Sequence, residues 1–343
     1  MKKRTPVVGV LLGDHAGIGP EITVKVLQRG FSGEYIPLVI GWKKALVGAV
    51  EQFAPELLPL VTDADPQNPV LEDATRIYVV NLEPIEAFPI GKPSRASGQL
   101  MIDAIVKACD FRKRGIIDGV FLGPLTKESL QMANKDFSTE FAIFDRELGV
   151  KGSDCAVKAG NIIRSTVVGH FAFREIVERL NTEIVYENGI ALYKLMKMFG
   201  LDQRGMAVAA LNPHAGEDGL FGDEEARILA PAVERLQKDC DTTVIGPVPA
   251  DTVYRRAQLG QIGGIVYLYH DQGNIAMKAA NFSDAVVIFF NLPCLVCSPG
   301  HGSALARAGK GTADVGASFN TMTTLLEMIH YEMDHDGDSP SGE

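Results

Sequence analysis

Along most of the 343-residue chain, short apolar runs alternate with longer amphipathic segments. Residues 7–12, 36–41, 76–80, 119–122, 162–168, 205–210, 243–246, 264–268 and 285–290 have the length and β-branched content of strands buried on both faces. Segments 20–28, 97–114, 126–132, 171–179, 182–199, 223–238, 250–259 and 317–331 carry apolar positions at helical spacing. Strand and helix in alternation predict an α/β fold built from crossover units around a largely parallel sheet. Such sheets take ligands at the carboxyl ends of their strands, where candidate chemistry is to be sought. The polar run from Lys135 to Glu140 suggests a boundary near Asn134. The expected organisation is a first α/β domain over 1–133 plus 270–332 and a second over 134–269. An acidic, Gly/Ser/Pro-rich disordered tail is expected over 333–343. No repeat of solenoid or propeller length is visible.

Charge and cysteine content narrow the function classes. The chain is 46% hydrophobic and 22% charged, the balance of a soluble globular protein. Its 33 Lys and Arg against 43 Asp and Glu give a net charge of −10, which argues against general binding to nucleic acid or anionic membranes. A small anion held by a few local cations is still allowed. Five cysteines in a chain of this length fit a reducing cytoplasm better than a disulfide framework. The basic start Met1-Lys2-Lys3-Arg4 imitates a signal peptide, but Asp14 cuts the apolar run and no small-residue cleavage site follows. The apolar stretch 285–297 is broken by Asn291 and Pro293 and is too short to span a bilayer.

Three histidines directly follow apolar strands: His170, His214 and His270. Strand-end imidazoles can converge on one divalent ion, and an open coordination position would accept a substrate oxygen. Asp251 or Asp271 could orient one of the rings from behind. The turn Gly13-Asp14-His15-Ala16-Gly17-Ile18-Gly19-Pro20-Glu21 runs from a strand into a helix, with Pro20 favoured at a first helical position. A dinucleotide fingerprint would need glycine where Ile22 stands, so that site is disfavoured here. The Gly-rich loop 300–311 carries His301 and Lys310, and its backbone N–H groups could cradle a phosphate or an adenosine. Cys294-Leu295-Val296-Cys297 has redox spacing but lies inside an apolar stretch, and reads as structural.

Taken in order, these motifs resemble a known family. They are the 13–21 turn, Leu211-Asn212-Pro213-His214-Ala215-Gly216-Glu217 with Gly222-Asp223-Glu224-Glu225, Pro249-Ala250-Asp251-Thr252, Tyr269-His270-Asp271-Gln272-Gly273 and Gly300-His301-Gly302-Ser303-Ala304. Together they are similar to the 4-hydroxythreonine-4-phosphate dehydrogenase family of pyridoxine (vitamin B6) biosynthesis, over nearly the whole chain. The resemblance implies an isocitrate/isopropylmalate dehydrogenase-like fold of two α/β/α domains and a homodimer with a shared active site. It also implies NAD as hydride acceptor and one divalent ion: zinc, magnesium, manganese or cobalt. It places the metal ligands on His170, His214 and His270, and a substrate-binding lysine on Lys278. It puts a cleft-facing lysine on Lys127 and the nucleotide contacts on Gly300, His301, Gly302, Ser303, Ala304, Gly309 and Lys310.

The implied reaction is metal-dependent oxidation of a secondary alcohol of a hydroxy acid, with decarboxylation where a carboxylate lies β to the new ketone. Lys127, Asp251 and Lys278 are the candidates for proton transfer and anion binding. The chain also departs from the family pattern. A substrate-binding His-Thr pair is Ser138-Thr139 here, the expected Asn and Arg positions are Val287 and Val296, and an acidic loop position is Ala306. These changes strip polar contacts from the substrate pocket. They leave open the same chemistry on a non-phosphorylated substrate, such as an aromatic cis-dihydrodiol carboxylate of the terephthalate dihydrodiol type, or on a phosphorylated sugar acid. A non-catalytic ligand-binding relative is the further alternative.

Overall fold

The computed structural model describes residues 4–31, 33–280 and 284–335. Its strands are β1 Val7–Leu11, β2 Ile36–Gly41, β3 Val61–Asp63, β4 Ile77–Asn81, β5 Gly119–Leu122, β6 Asp154–Ala159, β7 Ile162–Val168, β8 Met206–Ala209, β9 Val244–Val248, β10 Gly264–Tyr269, β11 Val286–Phe290 and β12 Leu295–Pro299. Its helices are α1 Gly19–Gln28, α2 Lys43–Phe53, α3 Arg95–Lys113, α4 Lys127–Ala133, α5 Glu140–Leu148, α6 Ile176–Arg179, α7 Thr182–Met198, α8 Ala230–Asp239, α9 Ala250–Gln258, α10 His270–Ala280 and α11 Gly316–His335. The chain divides into two compact units, Met1–Asp154 with Asn291–Glu343, and Cys155–Phe290.

In the first unit the strand order is β3-β4-β2-β1-β5-β12, and the ladders are parallel. Every residue of β1, β2 and β5 is buried, as expected of strands covered on both faces. One helix group, α3 with α4 and α5, packs on β1 and β2; a second group contains α1, α2 and α11, with α11 on β5 and β12. The Ser94 hydroxyl caps α3 by accepting from the Ser97 N–H at 3.1 Å, and Gly149 ends α5 in the left-handed region.

The second unit orders its strands β11-β6-β7-β10-β8-β9, with β7, β10, β8 and β9 parallel and β6 antiparallel to β7. Helices α7 and α8 form one layer, while α9 and α10 pack against β10. Under α9 and α10 lies an apolar core that includes Ile162, Ala207, Ala209, Val253, Ile265, Tyr267 and Met277.

The structure moves several expected boundaries. The units change at 154/155 and 290/291, rather than near 134 and 270. Helix α5, just past the polar run, packs on α3 and so belongs to the first unit, and α10 packs on β10 and β7 in the second. Residues Met333 to His335 continue α11 instead of opening a tail; 336–343 lie outside the described residues. Only Ile176–Arg179 is α-helical within the expected 171–179 segment. The 223–238 segment is α-helical only from Ala230, because Pro231 has no N–H for an unbroken ladder and a π-turn over Glu225–Leu229 precedes it. Among the described residues, no helix is long and apolar enough to cross a membrane.

Candidate active site

Strand order brings the histidines to neighbouring strands. In the second unit β10 lies between β7 and β8, and the parallel register pairs Tyr269 with Val168. His170 and His270 therefore emerge at the carboxyl ends of adjacent strands, with ring centroids 4.9 Å apart and planes tilted by 48°. A cavity of about 310 Å³ opens on them, walled by Phe171, Phe173, Ile176 and Tyr269, with Asp271 at its edge. Phe173 meets Tyr269 edge-on at 5.5 Å, so the cavity's apolar wall is largely aromatic. His270 Nδ1 lies 2.7 Å from the Asp271 carboxylate. Of the two carboxylates considered from sequence, Asp271 is thus the one on a ring, while Asp251 stands exposed in the first turn of α9.

His214 is not brought into the pair. Among the described residues, no group of three or more His, Cys, Asp or Glu side chains converges closely enough to hold an ion. His214 follows β8 on a turn where six successive residues, from His214 to Gly219, have positive φ. For non-glycine residues such a run costs roughly 1–2 kcal/mol each, so the neighbourhood must hold it. The buried Glu225 carboxylate contributes by accepting the N–H groups of Leu211 (3.0 Å) and Asn212 (2.7 Å) at the turn's entrance.

Helix α10 begins at His270 and places Lys278, exposed, about two turns further on. Sequence reasoning missed this helix and two amides on its first turn. Gln272 accepts from the Leu268 N–H (2.8 Å) and donates to the Ala210 carbonyl (2.7 Å), tying the end of β10 to the end of β8. Asn274 donates to the His270 carbonyl at 3.0 Å and accepts from Arg164 of β7. The visible signal was a charged residue inside the apolar run Ile162-Ile163-Arg164-Ser165-Thr166-Val167-Val168.

In the first unit the 13–21 turn is an anchor rather than an open cradle. Gly13 has φ +70°, and a Cβ there would overlap the Pro124 carbonyl; at Gly17 a Cβ would stand 2.5 Å from the Ser303 carbonyl oxygen. Asp14 and His15 are buried. Asp14 accepts from the Ala16 N–H at 2.9 Å, and His15 Nε2 from the Trp42 N–H at 3.1 Å. Burial lowers the His15 pKa to about 4, so the imidazole is neutral at pH 7.

The 300–311 loop docks on this anchor at both ends. The Ile18 N–H donates to the Ser303 carbonyl at 2.9 Å, and the Ser303 hydroxyl meets that of Thr126. The buried Glu21 carboxylate accepts the N–H groups of Ala313 (2.9 Å) and Gly311 (3.1 Å), together with Lys25 Nζ (2.7 Å). Ser303 itself is buried; Gly300 and Gly302 before it and Ala304, Gly309 and Lys310 after it are exposed, and His301 is half-buried against Ser318. Lys127 is the exposed first residue of α4; Ser138 is exposed, and Thr139 is half-buried as it leads into α5. Val296, Cys294 and Cys297 are buried in or beside β12, and Val287 is half-buried in β11.

Comparison with known proteins matches this architecture. The family model described as pyridoxal phosphate biosynthetic protein PdxA covers residues 34–325. The chain belongs to the PdxA family. A 4-hydroxythreonine-4-phosphate dehydrogenase of Desulfosudis oleivorans is 34% identical over 328 residues, 94% of this chain and 95% of that one. A D-threonate 4-phosphate dehydrogenase of Bordetella bronchiseptica is 33% identical over 90% of this chain and 89% of its own. The crystal structure of a 4-hydroxythreonine-4-phosphate dehydrogenase from Klebsiella pneumoniae superposes with a TM-score of 0.80 at 27% identity, covering 96% of this chain and 99% of that one. The isocitrate/isopropylmalate dehydrogenase-like fold and a place in a dehydrogenase family follow.

Proposed function

We propose that this PdxA-family chain is an NAD-dependent, divalent-metal-dependent dehydrogenase. It oxidises a secondary alcohol of a phosphorylated hydroxy acid, with decarboxylation following, and works as a homodimer in the cytoplasm. The observation that carries the metal reading is the pair of imidazoles whose centroids lie 4.9 Å apart. Two rings bound to one ion through nitrogen at about 2.1 Å have centroids roughly 5 Å apart, so the pair fits that group. His214 is the proposed third donor because its strand β8 flanks β10. A bound divalent ion would supply Lewis acidity to a substrate hydroxyl.

The chain's own residues do the rest. Asp271 at His270 Nδ1 fixes the tautomer that leaves Nε2 as a lone-pair donor. Lys278 offers a cation to an anionic substrate group, Lys127 and Asp251 are the candidates to move the hydroxyl proton, and Ser138 and Thr139 offer hydroxyls to substrate. The exposed face of the 300–311 loop, with Gly300, His301, Gly302, Ala304, Gly309 and Lys310 over the buried Ser303, takes the nicotinamide dinucleotide. Glu21 holds that loop in place.

A phosphorylated substrate is favoured by the relatives, whose names specify 4-phosphates. A second reading, an aromatic dihydrodiol carboxylate, is supported by the aromatic wall of Phe171, Phe173 and Tyr269. The test is NADH formation on a panel of 4-hydroxythreonine 4-phosphate, D-threonate 4-phosphate and a cis-dihydrodiol carboxylate, each with and without chelator. Chelator-sensitive turnover of a 4-phosphate supports the first reading. Turnover of the dihydrodiol alone replaces it with the second, and no reduction of NAD with any substrate overturns both.

A further inference from the structure

Within the second unit, Arg164 of β7 is only 4% exposed, and its guanidinium lies near Tyr254 and Tyr267 of the apolar core beneath α9 and α10. A cation taken out of water costs several kcal/mol unless its N–H groups are satisfied, so its presence calls for a function or a partner. Arg164 Nη1 donates to the Thr166 hydroxyl at 2.8 Å, and Nη2 donates to the Asn274 side-chain carbonyl at 2.5 Å. The amide of Asn274 passes the connection on, its Nδ2 donating to the backbone carbonyl of His270 at 3.0 Å. A continuous chain of hydrogen bonds therefore runs from β7, the strand that His170 follows by two residues, to the first residue of α10, which is His270. On the other side Gln272 makes the matching tie from β10 to β8. The ladder between β10 and β8 runs to Val266 and Val208, so the Gln272 tie holds strand ends beyond the regular ladder.

We propose that Arg164, acting through Asn274, is a positioning residue that sets where His270 stands relative to His170. This rests on the reading of the histidine pair as the ion site. The competing explanation is that Asn274 only satisfies a buried cation. The two separate on Asn274→Asp, which keeps an acceptor for Arg164 and adds a charge to it, but exchanges the N–H donated to His270 for an oxygen facing a carbonyl oxygen. If Asn274 serves only Arg164, the variant is neutral or stabilising and nothing changes at His270. If the chain of bonds positions His270, the first turn of α10 loosens while the fold holds.

The experiment uses the full-length protein without added metal for melting and amide hydrogen exchange, then Co²⁺ titration followed by its visible spectrum. Asn274→Asp is expected to melt with the parent, to exchange the amides of residues 274–276 faster, and to bind Co²⁺ about 10–100-fold more weakly with an altered spectrum. Arg164→Leu should show the same pattern or fail to fold, and Asn274→Asp carries the test in either case. Unchanged exchange at 274–276 in Asn274→Asp overturns the proposal, as does unchanged Co²⁺ affinity and spectrum where the parent binds cobalt. If the parent binds no cobalt, the ion-site reading fails on its own, and the exchange result alone decides the positioning role.

Discussion

Glu21→Gln tests whether the anchor under the 300–311 loop matters for cofactor. The carboxylate is 2% exposed and accepts two backbone N–H groups, from Ala313 and Gly311, as well as Lys25 Nζ. A glutamine has one carbonyl oxygen, so one backbone N–H is left facing an –NH₂ group. Leaving a buried donor without an acceptor costs about 1–3 kcal/mol. Losing the ion pair to Lys25, which is partly exposed, adds about 1 kcal/mol at most. The total, about 1–4 kcal/mol, should lower the melting temperature of a unit this size by roughly 3–12 °C. Calorimetric melting reads the first effect. Limited proteolysis near Arg307 and Lys310, and the KM for NAD, read the second. Loosening the loop should raise the KM for NAD and leave divalent-ion affinity unchanged, because Glu21 and the histidine pair belong to different units. A melting temperature within about 1 °C of the parent, or an unchanged KM for NAD, would refute the anchoring argument.

The remaining predictions use groups elsewhere. His15 has a folded pKa of about 4 against 6.5 ordinarily, because it is buried. Above pH 6.5 both states are neutral; between 6.5 and 4 only the unfolded chain takes up the proton, so stability falls as pH falls and levels off near a loss of about 3 kcal/mol. Denaturant titrations across that range should show this slope, and His15→Gln, which keeps an acceptor for the Trp42 N–H, should remove it. Burial pushes the Cys109 and Cys294 thiols up to about 12, so both should resist a thiol reagent at pH 8 in the native protein and react only after denaturation. Gly17→Ala places a methyl 2.5 Å from the Ser303 carbonyl, and should both lower the melting temperature and raise the KM for NAD.

Most of the layered fold was legible because strands buried on both faces leave short, nearly continuous apolar runs. Gly119–Leu122 and Ile162–Val168 match their runs residue for residue. Strand β6 was missed because Asp154–Ala159 mixes polar and apolar residues, yet the two residues Gly160-Asn161 between the paired Ala159 and Ile162 are a hairpin signal. Strand β12 was hidden in the apolar stretch 285–297, where Asn291, at φ +58°, marks the turn between two strands. Helix α10 has few buried positions and a glycine at 273, so its periodicity is faint. That His170 and His270 come close together followed directly from their places after adjacent strands. The separation of His214 was not legible, because spacing alone shows neither the positive-φ run at 214–219 nor the Glu225 bonds at its entrance.

The proposed metal centre has the strand-end histidines holding one divalent ion for dehydrogenation. Calorimetric titration of Zn²⁺ or Co²⁺ into the metal-stripped protein and its His270→Ala and His214→Ala variants tests it most directly. One ion bound per chain is expected in the parent, with no measurable binding in His270→Ala and clearly weakened binding in His214→Ala. Equal affinity in the parent and His270→Ala would contradict it.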